Sequence, residues 1–355
     1  MSYYEYGNTR LRVRISQLIP RKVMDSLAES SNVETFLSAL LKTTYKAAVE
    51  RAYALVDDRM QRVEETFDFD IDKSVNNIQK YYEGQPAHLI ELFLAQFDLT
   101  NIFTILKGLF FNQSSDEIKR SLQPLGNMSR PILFLLAGSV DYSDALNKMV
   151  SLQLAYAQPL IDLRRKKKNI FVIDIEHCLQ QWQWDQDVAE FEQKEDEDSQ
   201  IMSAIFKMQI DCFNLLMVFQ FIEGGEEMEF EQRNINDFLL EHGTISIYAL
   251  KKISKSKKIA DAIKLLAHTA YIETLIETKN RFETTKKLSA FATALDLFQL
   301  RTLAKYGKQT PLGIGVPIAY LALKRNEIRN LRWIAYGIHF GFEPQFIKNG
   351  LEMVA

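Results

Sequence analysis

The chain has 355 residues, with 43 Lys and Arg against 46 Asp and Glu, a net charge of -3, 47% hydrophobic and 25% charged residues, 14 glycines and 8 prolines. That balance is typical of a soluble globular protein and supplies no general basic field, so nucleic-acid binding is excluded as a main role. Two cysteines, Cys178 and Cys212, exclude a disulfide framework and a multi-cysteine zinc site, which fits a reducing cytoplasm, and the length exceeds what a single core usually fills.

In chain order, Val33 to Leu55 carries Phe36, Leu37, Leu40, Leu41, Tyr45, Ala48, Val49 and Ala52 at steps of three and four, the stripe of an amphipathic helix. Leu89 to Phe111 reads the same way. The most apolar windows, Ile132 to Val140 and Pro311 to Leu323, are shorter than the roughly 20 residues that span a bilayer, and no apolar stretch follows a basic start. Membrane contact is therefore expected to be indirect or peripheral. A basic run covers Arg164 to Lys168, and Asn169 to Ile175 is the best strand candidate, short enough also to be a buried helical segment. Asp185 to Asp198 holds eight carboxylates and one lysine and is expected to be solvated surface and a disordered excursion. Ile201 to Ile222 predicts a further helix, a second basic run covers Lys251 to Lys258, and a long helical stretch is expected from Ile259 to about Lys305. Glycines and prolines separate these segments where helix stops belong. The fold class expected is all-α, with domains over 1–128, 129–245 and 246–355.

That division rests on a signature that occurs three times: Asp98-Leu99-Thr100-Asn101, Asp211-Cys212-Phe213-Asn214 and Glu327-Ile328-Arg329-Asn330, with starts 113 and then 116 residues apart. The likeness continues beyond it. Ile118, Lys119 and Leu122 match Ile347, Lys348 and Leu351 without a gap, and Leu122 to Ser129 resembles Leu239 to Ser246, with Gly126 facing Gly243. Residues three apart on a helix share a face, so each signature sets a carboxylate beside an amide. A polar pair on a packed face must be hydrogen-bonded, and tying a helix to a neighbouring backbone is the usual task. Acid–base work would need more than one carboxylate and an unreactive amide. No histidine stands three residues after a glutamate, and there is no phosphate-binding glycine loop followed by lysine, so no catalytic, cofactor or metal residue is assigned. Gly313, Gly315 and Pro317 read as a tight helix start that permits close backbone packing.

Pro311-Leu312-Gly313-Ile314-Gly315-Val316-Pro317-Ile318-Ala319-Tyr320, followed by Lys324, Glu327, Asn330-Leu331-Arg332 and Ile334, resembles the C-terminal signature of the central-stalk subunit of rotary V/A-type ATPases, called C in prokaryotes and d in eukaryotes. The opening, with Tyr4 and Gly7-Asn8-Thr9-Arg10-Leu11-Arg12, and Phe97-Asp98 with Asn101 resemble the same family, so the likeness spans the chain. The resemblance implies three similar helical domains in a pseudo-threefold, funnel-like arrangement. It also implies a non-catalytic socket, peripheral on the cytoplasmic face of the membrane. Such a socket holds the central-shaft subunits, rests on the proteolipid ring and transmits torque for H+ or Na+ transport. Glu327 departs from the aspartate of the other copies. A helical repeat scaffold for some other protein is the alternative, although repeats of that kind usually run 20 to 50 residues.

Overall fold

A computed structural model describes residues 4–191, 194–224 and 234–354. Among them the chain is all-α, with helices and short turns and no strand. After α1 (Glu5–Ser16), one order of elements recurs three times: three short helices, two long ones and a short closing element. The first run is α2 (Arg21–Leu27), α3 (Val33–Leu40), α4 (Lys46–Leu55), α5 (Arg59–Tyr81), α6 (Gln85–Phe110) and α7 (Ser115–Ser121). The second is α8 (Arg130–Ala137), α9 (Tyr142–Ser151), α10 (Ala157–Lys166), α11 (Val172–Phe191), α12 (Glu197–Gly224) and a 3-10 turn at Ile235–Asp237. The third is α13 (Ile247–Ile253), α14 (Ile259–Leu265), α15 (Ile272–Thr285), α16 (Ser289–Gln309), α17 (Gly315–His339) and α18 (Pro344–Asn349).

The chain forms two compact units. The first comprises Met1–Asn101, Lys119–Leu135 and Leu303–Ala355; the second comprises Ile102–Ile118 and Leu136–Thr302. In the first, α17 packs on α1, α2, α3, α5 and α18 around Leu11, Phe36, Leu40, Tyr45, Phe67 and Leu331, all fully buried. In the second, α12 packs on α11, α13 and α14, and Phe206, Leu215, Phe219 and Phe291 are closed from solvent.

Helix starts follow local chemistry. Asn32, Asp58 and Asp141 each accept the backbone N–H three residues on, at 2.9, 2.9 and 2.8 Å. The continuous helix expected over 33–55 is broken between α3 and α4, where the Thr43 hydroxyl donates to Leu40 O at 2.7 Å and accepts from Tyr45 N. A threonine side chain competes there with the helix ladder. The stretch expected from Ile259 to Lys305 is three helices for related reasons: Thr269 Oγ1 donates to Leu266 O at 2.8 Å, and Lys286, at φ +55°, ends α15 in the left-handed region.

Three further expectations are corrected. Val172 to Ile175 belongs to the first turn of α11, where Asp174 accepts from Phe171 N at 2.9 Å, so the strand candidate is a helix start. In the acidic stretch, Asp185 to Phe191 completes α11, Asp196 accepts from Ser199 N at 3.0 Å, and Glu197 and Asp198 occupy the first turn of α12. Carboxylates are favoured at that end of a helix by its unpaired N–H groups and dipole; Glu192 and Gln193 lie outside the described residues. Of the glycines expected at helix stops, the Gly224-Gly225 pair likewise falls partly outside the described residues. Among the described residues, the apolar windows long enough to span a bilayer lie in α6 and α12 rather than in Ile132 to Val140 and Pro311 to Leu323, and 67% and 72% of them are buried in the protein, as in core helices.

Candidate functional site

The three signatures fall inside long helices, and all six residues are at most 2% exposed. Each asparagine grips both backbone groups of one residue that follows its helix. Asn101 donates to Gln123 O and accepts from Gln123 N, both at 2.8 Å; Asn214 does the same with Leu240, both at 2.8 Å; Asn330 does so with Glu352, at 2.8 and 3.0 Å. A neutral side-chain amide offers a donor and an acceptor side by side, as a peptide group does, so it mimics a strand partner for a returning loop.

The carboxylates hold the next stretch of chain. Asp98 accepts from Asn127 N and Met128 N, each at 2.8 Å. Asp211 accepts from Thr244 N at 3.1 Å, from Ile245 N at 3.0 Å, from the Thr244 hydroxyl and from the Tyr271 hydroxyl at 2.9 Å. The glycine shared by the two loops explains the approach: a Cβ at Gly126 would lie 2.1 Å from Asp98 Oδ1, and one at Gly243 would lie 2.4 Å from Asp211 Oδ1. Burial pushes the Asp98 carboxyl up to about 6, although its backbone donors pull it down.

Glu327 grips a segment 308 residues away in sequence. Its Oε1 accepts from Ile19 N at 2.5 Å, and its Oε2 accepts from the Tyr45 hydroxyl at 2.7 Å and the Lys324 ammonium at 2.8 Å. The residue two before Ile19 is Gln17, where the other loops have glycine, and Leu18 N is already taken by Ile15 O at the end of α1. A longer acid reaching one N–H replaces a shorter one gripping two. Lys324 lies 2.6 Å from Asp70 as well. Burial alone would push that ammonium down, but Glu327 and Asp70 outweigh it and raise it above its usual value. Tyr45 is held well above its ordinary range by burial and then by the same two carboxylates. A lysine that keeps its proton and a phenol that keeps its own do not exchange protons near neutral pH. The geometry is that of a clamp.

Sequence reasoning missed the tyrosines. Tyr45 follows Ile19 by the same 26 residues that separate Tyr271 from Ile245, and Thr43 and Thr269 precede them identically; aligning the starts of the first and third runs finds both.

Gly315 is the first residue of α17, with Pro317 in the first turn, where no backbone donor is required. A Cβ on Gly315 would come within 2.5 Å of Tyr306 O. Gly313 O accepts from Asn8 Nδ2 at 3.1 Å while Asn8 Oδ1 accepts from the Tyr82 hydroxyl at 2.7 Å, so the opening and C-terminal motifs meet. The gapless match around Ile118 and Ile347 also has a cause. Gln113 N bonds Gly108 O and Phe342 N bonds Gly337 O at 2.9 and 2.8 Å, around Asn112 and Gly341 at positive φ, a Schellman helix end in both copies. Ile118 and Ile347 then pack on Gly108 and Gly337, whose missing Cβ atoms would lie 2.5 and 2.7 Å from them.

Among the described residues no three His, Cys, Asp or Glu side chains gather into a metal-holding group. An exposed aromatic cluster, also unforeseen, joins Tyr336, Phe340, Phe342 and Phe346 at the end of α17 and the start of α18; Phe340 is 65% and Phe346 56% exposed.

The profile of the ATP synthase (C/AC39) subunit family matches residues 7–350. The chain is similar to the A-type ATP synthase C subunit of Thermococcus kodakarensis, 23% identical over 352 residues covering 99% of this chain and 91% of that one. It is similar to those of Pyrococcus abyssi, 23% over 99% and 90%, and Methanocaldococcus jannaschii, 24% over 98% and 85%.

Proposed function

This chain belongs to the ATP synthase (C/AC39) subunit family, and on that premise we propose that it is the non-catalytic central-stalk subunit of a rotary V/A-type ATPase. In this reading three similar helical domains, 1–128, 129–245 and 246–355, form a socket peripheral on the cytoplasmic face of the membrane. The socket receives the central-shaft subunits, rests on the proteolipid ring and passes torque between them, driving or driven by H+ or Na+ transport.

The observation that carries the reading is the threefold clamp. A side-chain amide and a carboxylate, on consecutive turns of a long helix, fix two returning segments in each copy. A torque connector must resist shear between helices and loops, and buried hydrogen bonds to backbone oppose such sliding because breaking them leaves polar groups unsatisfied. Charge pairs add to this in the first unit, where Arg332 lies 2.8 Å from both Glu64 and Asp68 of α5.

The test is to tag the chain in its native cell, purify it in mild detergent and identify its companions by mass spectrometry. Nucleotide-binding ATPase subunits recovered with a proteolipid support the assignment. Recovery of the chain alone, or with unrelated proteins, overturns it.

A further inference from the structure

The second unit holds a cavity of about 590 Å3 that the clamps do not use. It lies among the last turns of α6, the first turns of α11 and the end of α12, and its walls include Phe103, Phe111 and Ile173 with Lys107, Glu176 and Glu223. Its size is that of a ligand or side-chain-binding cleft. Phe111 is 58% exposed at its rim and stands edge-on to the Phe110 ring, itself 41% exposed, at 5.8 Å, so two adjacent aromatic rings face solvent there.

Its charges are uneven. Glu176 is half-buried and, among the described residues, makes no hydrogen bond or ion pair. Glu223, exposed on the same wall, makes none either. Lys107 is the cation among the described lining residues, and its ammonium sits 5.9 Å over the Phe103 ring. Burial pushes the Glu176 carboxyl up to about 7, with Lys107 pulling the other way. A carboxylate held in apolar walls without a partner costs free energy that an incoming cation recovers. Two acids against one base, around an aromatic hollow, complement a positive group carried among aliphatic ones.

We infer that this cavity seats a basic amphipathic helix of the central shaft, whose Lys or Arg pairs with Glu176 while its aliphatic side chains enter between Phe103, Phe111 and Ile173. The inference rests on the central-stalk reading and names the face of this chain that grips the shaft. It follows the helix-in-groove mode, in which apolar anchors supply affinity and charge fixes register.

The test uses whole complexes purified through the tagged chain carrying the native sequence, Glu176→Gln, Glu176→Lys or Phe111→Ser. The amount of shaft protein per tagged chain is measured by mass spectrometry across a salt series. Glu176→Lys is expected to lower shaft retention at least tenfold. Glu176→Gln and Phe111→Ser should lower it severalfold, with Glu176→Gln also flattening the salt dependence. Glu176→Gln removes a poorly solvated charge and should leave the thermal midpoint unchanged or higher, so it decides the matter if the lysine variant unfolds. Retention within twofold of native for all three variants overturns the inference and leaves the central-stalk reading standing. Native complexes that contain no shaft protein overturn both.

Discussion

Glu327→Asp isolates the reason for the longer acid in the third clamp. Removing one methylene withdraws the carboxylate by about 1.5 Å, which takes contacts of 2.5, 2.7 and 2.8 Å beyond hydrogen-bond range. Lys324 keeps Asp70 at 2.6 Å, so the ammonium is not stranded. The Ile19 N–H and the Tyr45 O–H, both buried, lose their acceptor. At about 1–3 kcal/mol for each orphaned donor, the first unit should lose about 3 kcal/mol. Hydrogen exchange at the Ile19 amide reads this directly, and roughly a hundredfold faster exchange is expected. Glu327→Gln is the control for length against charge: its amide oxygen still reaches Ile19 N, so that amide stays protected while the urea midpoint falls through the loss of the Lys324 pair. Exchange at Ile19 within threefold of native in Glu327→Asp, with an unchanged urea midpoint, would refute the account.

Gly126→Ala and Gly243→Ala each drive a methyl into the clamp carboxylate, and each should cost about 2 kcal/mol or more in urea unfolding. Gly126 should be the worse of the two because its φ is +126°, and Gly84→Ala, at φ +62° with nothing within 4 Å, should cost only about 1 kcal/mol. The raised Asp98 carboxyl, 3.8 to about 6, gives a pH signature. A group whose folded pKa is raised contributes stability that is complete below pH 3.8 and lost as pH rises through about 6. The stability of the native chain minus that of Asp98→Asn should therefore shrink by about 3 kcal/mol from well below pH 3.8 to well above pH 6. Urea midpoints at several pH values check this, and a gap that widens with pH contradicts it.

The sequence by itself determined the helical class, the positions of α6 and α12, and the threefold signature. Periodicity of apolar residues is a short-range property, and a repeated side-chain pair needs no partner to be recognised. It also determined that Gly126 and Gly243 correspond, without saying why. Only the tertiary structure decided what the signatures hold: Asn101, Asn214 and Asn330 each grip one backbone residue, and Glu327 reaches Ile19 across nearly the whole chain. It alone decided that Thr43 and Thr269 break their helices, because a hydroxyl turn and a helix continuation differ locally by little and packing selects between them. The substitution of glutamate for aspartate is legible only with both partners in view. The length of an acid is set by how closely a loop approaches, and that approach depends on whether the loop has glycine or glutamine two residues before its gripped amide.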